Sequence, residues 1–222
     1  MPNRPRRDVP ETTTEAEARV IDAAIAAILD VGYYRASSNE IARRAGVSWG
    51  VIQHYYGNRE KLMLAVLQHG QRQLARIVES ATIDSPTLEG RLEQLLDILA
   101  EHYGAPEYLA QLQILLDLGE APNTSDEVRA MVKETSASTI DDVVRLTRAA
   151  LGPAYSAEMT STIFLTLRGF AISELLARVN AHDALPVTTT AERGRRKLLA
   201  RALAPYFAAL LPARRASGAS QS

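Results

Sequence analysis

Apolar residues recur along this chain at spacings of three and four, and nowhere do they alternate over the length of a strand. That period matches one face of an α-helix and predicts an all-α fold of about nine helices. Thr14-Glu15-Ala16-Glu17 reads as a capping box ahead of Ile21, Ala24, Ile25, Ile28 and Leu29, and Gly32 ends that first helix. Ser37-Ser38-Asn39-Glu40 reads as a second box, opening a short helix with Ile41, Ala42 and Ala45 inward. Gly46 permits a left-handed turn. Ser48 then caps a third short helix, with Val47 and Ile52 placed as a hydrophobic staple. Tyr56-Gly57-Asn58 stops it, and Asn58 can cap a long helix over 59 to about 81. Beyond Pro86 the pattern predicts helices over about 87–103, 107–118, 125–151, 157–180 and 189–211. Gly104-Ala105-Pro106, Gly119-Glu120-Ala121-Pro122, Gly152-Pro153 and the stretch around Pro186 separate them. Thr124-Ser125-Asp126-Glu127 is one more capping box, and Pro205 predicts a kink in the last helix.

The first dozen residues and the closing PARRASGASQS hold too little apolar material to fold alone. The expected organisation is therefore a flexible basic arm over 1–13, a three-helix head over 14–58, a larger helical body over 59–212 and a disordered tail over 213–222.

Composition narrows the classes. A chain of 222 residues, 46% of them hydrophobic, buries a real core. It has no cysteine, which excludes disulfides, thiolate catalysis and cysteine-based metal sites. No apolar run reaches the roughly 18 residues of a membrane span. The opening RPRRDVPETTTE leads into an amphipathic pattern, unlike a secretory signal, so a cytoplasmic, bacterial-type protein is expected. Net charge is only −1, but it is unevenly spread. Residues 35–61 carry five basic and two acidic groups, residues 1–10 carry three and one, and residues 62–222 carry 16 and 18. A positive end on a slightly acidic body suits a polyanion at one end only.

That positive end coincides with AGVSWGVIQHYYGNREKL, residues 45–62. Helix, tight glycine turn and second short helix form a helix-turn-helix pattern. Ile41, Ala42 and Ala45 are placed to pack on Val47, Ile52 and Tyr56, which leaves the opposite face of the second helix outward. Gly50 lets that helix approach sugar and phosphate closely. Gln53 can hydrogen-bond a base edge in pairs, adenine being its usual match, and Val51 or Trp49 can touch a thymine methyl. His54 and Tyr55 have the reach for phosphates, and free N–H groups near Ser48 add an anion site. Arg43, Arg44 and Arg59 are expected to supply counterion-releasing contacts, with Ser38 beside them at the start of the preceding helix. The plain alternative is a surface helix whose aromatics merely pack on neighbours.

Ile41-Ala42, Ala45-Gly46-Val47-Ser48, Gly50, Ile52, Tyr55-Tyr56, Arg59 and Leu62 resemble the TetR family of transcriptional regulators. Ala24, Gly32 and Tyr33 fit that family's first helix and its exit, so the resemblance covers residues 17–66 and is only architectural beyond. It implies a ligand-responsive repressor that binds a palindromic operator in double-stranded DNA as a homodimer. Activators of the same fold are also implied. Three departures stand out: the family usually has tyrosine where Gln53 stands, a small hydroxyl residue at Val51, and lysine at Arg59.

In the body, apolar residues cover nearly the whole circumference of the helix holding Ile163, Phe164, Leu165, Leu167, Phe170, Ile172, Leu175, Leu176 and Val179. Such a helix is either central core or half of a two-helix contribution to a four-helix interface. The resemblance implies dimerisation through the last two helices, with Leu167, Phe170, Leu175, Leu199, Leu203 and Tyr206 as candidate contacts. It also implies a small apolar or amphipathic effector among the middle helices, whose binding moves the helix after Asn58. Tyr103, Gln111, Ile114, Phe164 and Arg168 are the candidate lining. Arg168 could instead meet Asp117 or another acid.

Other classes find less support. The four histidines, His54, His69, His102 and His182, show no metal-binding spacing, and there is no nucleophile elbow, P-loop or dinucleotide fingerprint. No cofactor, metal or catalytic residue is expected. A helical protein-binding adaptor remains the other non-enzymatic reading.

Overall fold

The computed structural model describes residues 13–179 and 189–209, and every extended regular element among them is helical. In order these are α1 (Thr13–Val31), α2 (Ser38–Ala45), α3 (Trp49–Tyr56), α4 (Arg59–Ser80), α5 (Leu88–Tyr103), α6 (Pro106–Glu120), α7 (Asp126–Leu151), α8 (Ala157–Val179) and α9 (Thr189–Ala209). A single 3-10 turn, Gly152–Ala154, stands between α7 and α8. The predicted boundaries agree to within about two residues. The expected arm, save Thr13, and the expected tail lie outside the described residues, as does the stretch around Pro186.

Short-range chemistry accounts for these limits. The Ser37 hydroxyl accepts from the Glu40 N–H at 3.2 Å, and the Asn58 amide oxygen accepts from the Lys61 N–H at 2.9 Å. Each satisfies one of the donors a helix start leaves unpaired. Three expectations need correction. Thr14, expected to cap α1, lies inside that helix, which includes Thr13. The cap of α7 is Ser125, which accepts from Val128 N–H at 3.4 Å, one residue after the expected Thr124. Ser48 occupies the cap position of α3 but makes no side-chain capping bond. At the far end of α6, Arg129 donates to the carbonyls of Gly119 (2.9 Å), Ala121 (3.3 Å) and Thr124 (3.1 Å). Pro205 sits inside α9, which continues past it to Ala209.

The chain folds into two compact units, each assembled from separated segments. The first unites Met1–Gln73 with Pro106–Ser138. Its core joins Val20, Ala24 and Ile28 of α1, Ile41 and Ala42 of α2, Ile52 of α3 and Leu62, Met63 and Val66 of α4. Ala110, Ile114 and Leu118 of α6 and Val128 and Val132 of α7 complete the same cluster. Burying each Leu, Ile or Val side chain stabilises by roughly 1.5–3 kcal/mol, so the three small helices lean on α6 and α7 as well as on each other.

The second unit unites Leu74–Ala105 with Thr139–Ser222. Here α5 packs along α9 and, less extensively, on α8. Leu92, Leu95, Leu96 and Leu99 of α5, Val143 and Leu146 of α7, Ile163 and Leu167 of α8 and Phe207 of α9 are buried. Three ion pairs run along the α5–α9 seam: Glu89–Arg201 (3.8 Å), Glu93–Lys197 (3.2 Å) and Asp97–Arg196 (2.7 Å).

Candidate nucleic-acid interface

The outward helix is held by very few residues. Gly46 adopts φ 66°, ψ 29°, a left-handed conformation that costs an ordinary side chain energy, and its N–H reaches the carbonyls of Ala42 and Arg43. The Val47 N–H returns to the Ala42 carbonyl at 3.0 Å. These bonds reverse the chain between α2 and α3. Ile52 is fully buried and Tyr56 is half-buried against the same core. Burial and the nearby Glu17 push the Tyr56 phenol up to about 12, so it stays protonated and apolar in character.

Because Ile52 and Tyr56 face inward, Ser48, Trp49, Gly50, Gln53 and His54 face out and are exposed, while Val51 and Tyr55 are half-buried at the margins. Trp49 keeps 38% of its surface accessible. His54, Tyr55 and Tyr56 stand edge to face in a row, with centroid separations of 5.3 and 6.4 Å. Such packing restrains the Tyr55 ring at the margin of the exposed face. A methyl at Gly50 would meet only the Ser48 hydroxyl at 3.6 Å, an ordinary contact. Nothing inside the chain therefore demands glycine there, and the space it leaves opens outward.

The expected basic contacts divide. Arg43 leaves 69% of its side chain accessible although it grips Glu40 through two hydrogen bonds of 2.7 and 2.9 Å. Arg44, only 22% accessible, is tied to Asp30 and Glu40, both at 2.6 Å. Hydrogen bonds from both arginines hold the Glu40 carboxyl down to about 2, so this cluster stays ionised at any ordinary pH. Arg59 turns inward: it donates to the Tyr33 carbonyl at 2.6 Å and to the Ala36 carbonyl at 3.4 Å, and its guanidinium lies 4.1 Å over the Tyr33 ring. Arg44 and Arg59, expected as phosphate contacts, are thus committed within the chain, where a carboxylate pair and two turn carbonyls outcompete solvent. Ser38 is half-buried at the start of α2. Arg35 and Asn39, not singled out from the sequence, are exposed on either side of the Ser37 cap. Their signal was a basic and an amide group flanking a capping serine.

The candidate effector residues fall into two groups. In the second unit, the Tyr103 ring meets Phe164 edge-on at 5.9 Å, and the Arg168 guanidinium lies 4.6 Å over Phe164. His102 packs edge-on against Tyr103 at 5.0 Å, and burial pushes its imidazole down to about 4, leaving it neutral near neutral pH. In the first unit, Gln111 lays its buried side-chain amide across Gly70 of α4, where even a methyl group would collide. Ile114 is a fully buried member of that unit's core.

Of the candidate partner contacts, Leu167 is buried inside its own unit, Leu199 and Leu203 are half-buried, and Tyr206 is 61% exposed. The side chains of Phe170 and Leu175 lie outside the described residues. Leu165 and Ile172 of α8 and Leu198 of α9, none of them singled out for a partner, are also exposed. Among the described residues no cluster of ionisable side chains is arranged to hold a metal, and no helix is long and apolar enough to cross a membrane.

Comparison with known proteins bears on the head most directly. Residues 20–66 match the model of the bacterial regulatory proteins of the tetR family. The chain is 41% identical over 66 residues to the HTH-type transcriptional regulator BetI of Pectobacterium atrosepticum, which covers 30% of this chain and 34% of that one. It is 29% identical over 115 residues to BetI of Brucella canis, covering 51% and 57%. The matched stretches thus span between about a third and somewhat over half of those relatives. Among solved structures, a TetR-family transcriptional regulator of Mesorhizobium loti superposes with a TM-score of 0.63 at 19% identity, over 90% of this chain and 98% of that one. The transcriptional regulator FadR of Bacillus subtilis in complex with stearoyl-CoA gives 0.59 at 16% identity, over 87% and 97%.

Proposed function

We propose that this chain, whose residues 20–66 match the tetR family of bacterial regulatory proteins, is a ligand-responsive transcriptional repressor that grips a palindromic operator as a homodimer. The observation that carries the proposal is the α3 face: Ile52 and Tyr56 anchor the helix, and Trp49, Gly50, Gln53 and His54 are left outward with an open flank at the glycine. In this reading Gln53 hydrogen-bonds a base edge, while Trp49 or Val51 meets a thymine methyl. His54, Tyr55 and the uncapping Ser48 hydroxyl contact phosphates, and Arg43 and Arg35 supply the most available positive charge. Residues 14–58 act as the DNA-binding part and residues 59–212 as the sensing and pairing part.

Pairing is assigned to α8 and α9, supported by exposed Leu165, Ile172, Leu198 and Tyr206. Isolated exposed apolar residues need no explanation, but four on two helices that both pack on α5 suit a self-complementary face. The effector is assigned to the Tyr103–Phe164–Arg168 group, an aromatic bed with a cation at its edge. That chemistry suits an amphipathic molecule carrying an acidic group, and the acyl-CoA held by the FadR neighbour supports it.

Selection of duplexes from a random pool by the purified protein tests the whole reading. Recovery of an inverted repeat, with half-sites about one helical turn apart, is the expected result. A pool that remains random at moderate salt overturns it.

A further inference from the structure

Arg59 opens α4, and its guanidinium is engaged within the chain. It spans two carbonyls of the turn between α1 and α2, Tyr33 at 2.6 Å and Ala36 at 3.4 Å, while stacking 4.1 Å above the Tyr33 ring. The turn it holds is the one that positions α2. Gly32, at φ 83°, accepts from the Ala36 N–H at 3.0 Å, and the Ser37 cap of α2 follows directly. Helix α2 then leads through Gly46 to α3, and Asn58 joins α3 back to α4. Arg59 therefore closes a ring of rigid links around the helix-turn-helix.

The turn is also tied from its other side. The Tyr33 N–H donates to the Gln113 side-chain oxygen at 3.3 Å. The Tyr33 and Tyr34 hydroxyls both face the Asp117 carboxylate, one α6 turn further on. The carbonyls that Arg59 grips are thus fixed to α6 in the same compact unit. A planar fork bonds two carbonyls in fixed directions while stacking on a ring; a lysine ammonium, a point charge on a flexible stem, lacks that pre-organised geometry.

We propose that Arg59 is a positioning residue: it sets the pose of α2 and α3 by clamping the Tyr33–Ala36 turn to the start of α4, and it contributes to DNA binding through that pose instead of by neutralising a phosphate. The inference rests on the DNA-binding reading for its functional half and on the fold alone for its structural half.

The two roles differ in their salt dependence and in what lysine can replace. Each phosphate contact adds about 0.9 to the slope of log affinity against log salt. Arg59→Lys and Arg59→Gln are compared with the wild-type full chain on the duplex recovered by selection, across a salt series. The clamp predicts that both variants lose about tenfold or more in affinity at fixed salt with the slope unchanged. A phosphate contact predicts that Arg59→Lys binds like wild type and that Arg59→Gln lowers the slope by about one per subunit; that result overturns the proposal. Amide hydrogen exchange, without DNA, gives an independent readout. Residues 36–41 should exchange markedly faster in both variants while the amides of α5 keep their protection; unchanged protection there overturns the clamp even if no specific duplex is ever recovered. Should neither Arg59 variant fold, Tyr33→Leu carries the same comparison. It removes the ring beneath the guanidinium and no charge, so an affinity loss supports the clamp and wild-type affinity refutes it.

Discussion

Gly50 and His102 show how single residues separate folding from function. Adding a methyl at Gly50 meets nothing closer than the Ser48 hydroxyl at 3.6 Å, and alanine is favoured over glycine in a helix by up to about 1 kcal/mol. Gly50→Ala should therefore leave urea stability equal or higher while weakening operator binding about tenfold or more. Stability and affinity falling together would mean that the glycine serves the fold. His102 concerns pH. Its imidazole is pushed by burial from 6.5 down to about 4, so between those values the unfolded chain binds a proton that the folded chain refuses. The state that binds more protons gains as pH falls, so His102 subtracts stability progressively from about pH 6.5 to about pH 4 and no further below. The shift corresponds to roughly 3 kcal/mol. Urea unfolding at about pH 7.5 and about pH 4.5 should show a smaller loss in His102→Gln than in wild type; equal losses would assign the effect to other groups.

At the scale of elements, apolar anchoring outweighs the visible ion pairs. Helix α3 has one fully buried side chain, Ile52. Ile52→Ala should cost about 2–5 kcal/mol, read as an earlier urea midpoint, and should increase exchange of the α3 amides first. The α5–α9 seam displays three ion pairs, but they are partly exposed, with 44% and 18% of the Asp97 and Arg196 side chains accessible. Exposed pairs contribute about 0–1 kcal/mol each. Asp97→Asn should therefore shift stability by less than about 1 kcal/mol, and raising salt should have little further effect in the variant. A loss comparable to that of Ile52→Ala would show that the pair is far better shielded than its exposure indicates.

For the molecule as a whole, the proposed pairing face and the α3 face make separable demands. Leu198 and Tyr206 are 68% and 61% exposed on α9, so polar replacement of both should leave each chain folded. Leu198→Asp with Tyr206→Ser is expected to give a monomer by sedimentation with an unchanged helical spectrum. Its affinity for a full inverted repeat should fall toward that for one half-site, because the second contact no longer comes tethered. A variant that still sediments as a dimer would move the pairing face elsewhere.

What the chain's order of residues determined alone is local. Helix starts at Ser37 and Asn58, the left-handed stop at Gly46 and the inward set of Ile41, Ala42, Ala45 and Ile52 were all legible, because caps and helical periodicity depend on neighbours within about four positions. The exposure of Trp49, Gly50, Gln53 and His54 on α3 followed from the same period, whereas Val51 and Tyr55 are half-buried. Tertiary structure decided the rest. Arg44 is claimed by Asp30, 14 positions away, Arg59 by carbonyls 23 and 26 positions away, and Gln111 crosses Gly70 on another helix. A side chain's charge is written in its identity, but whether that charge meets a phosphate or a carbonyl of its own chain depends on which distant segments the core draws together.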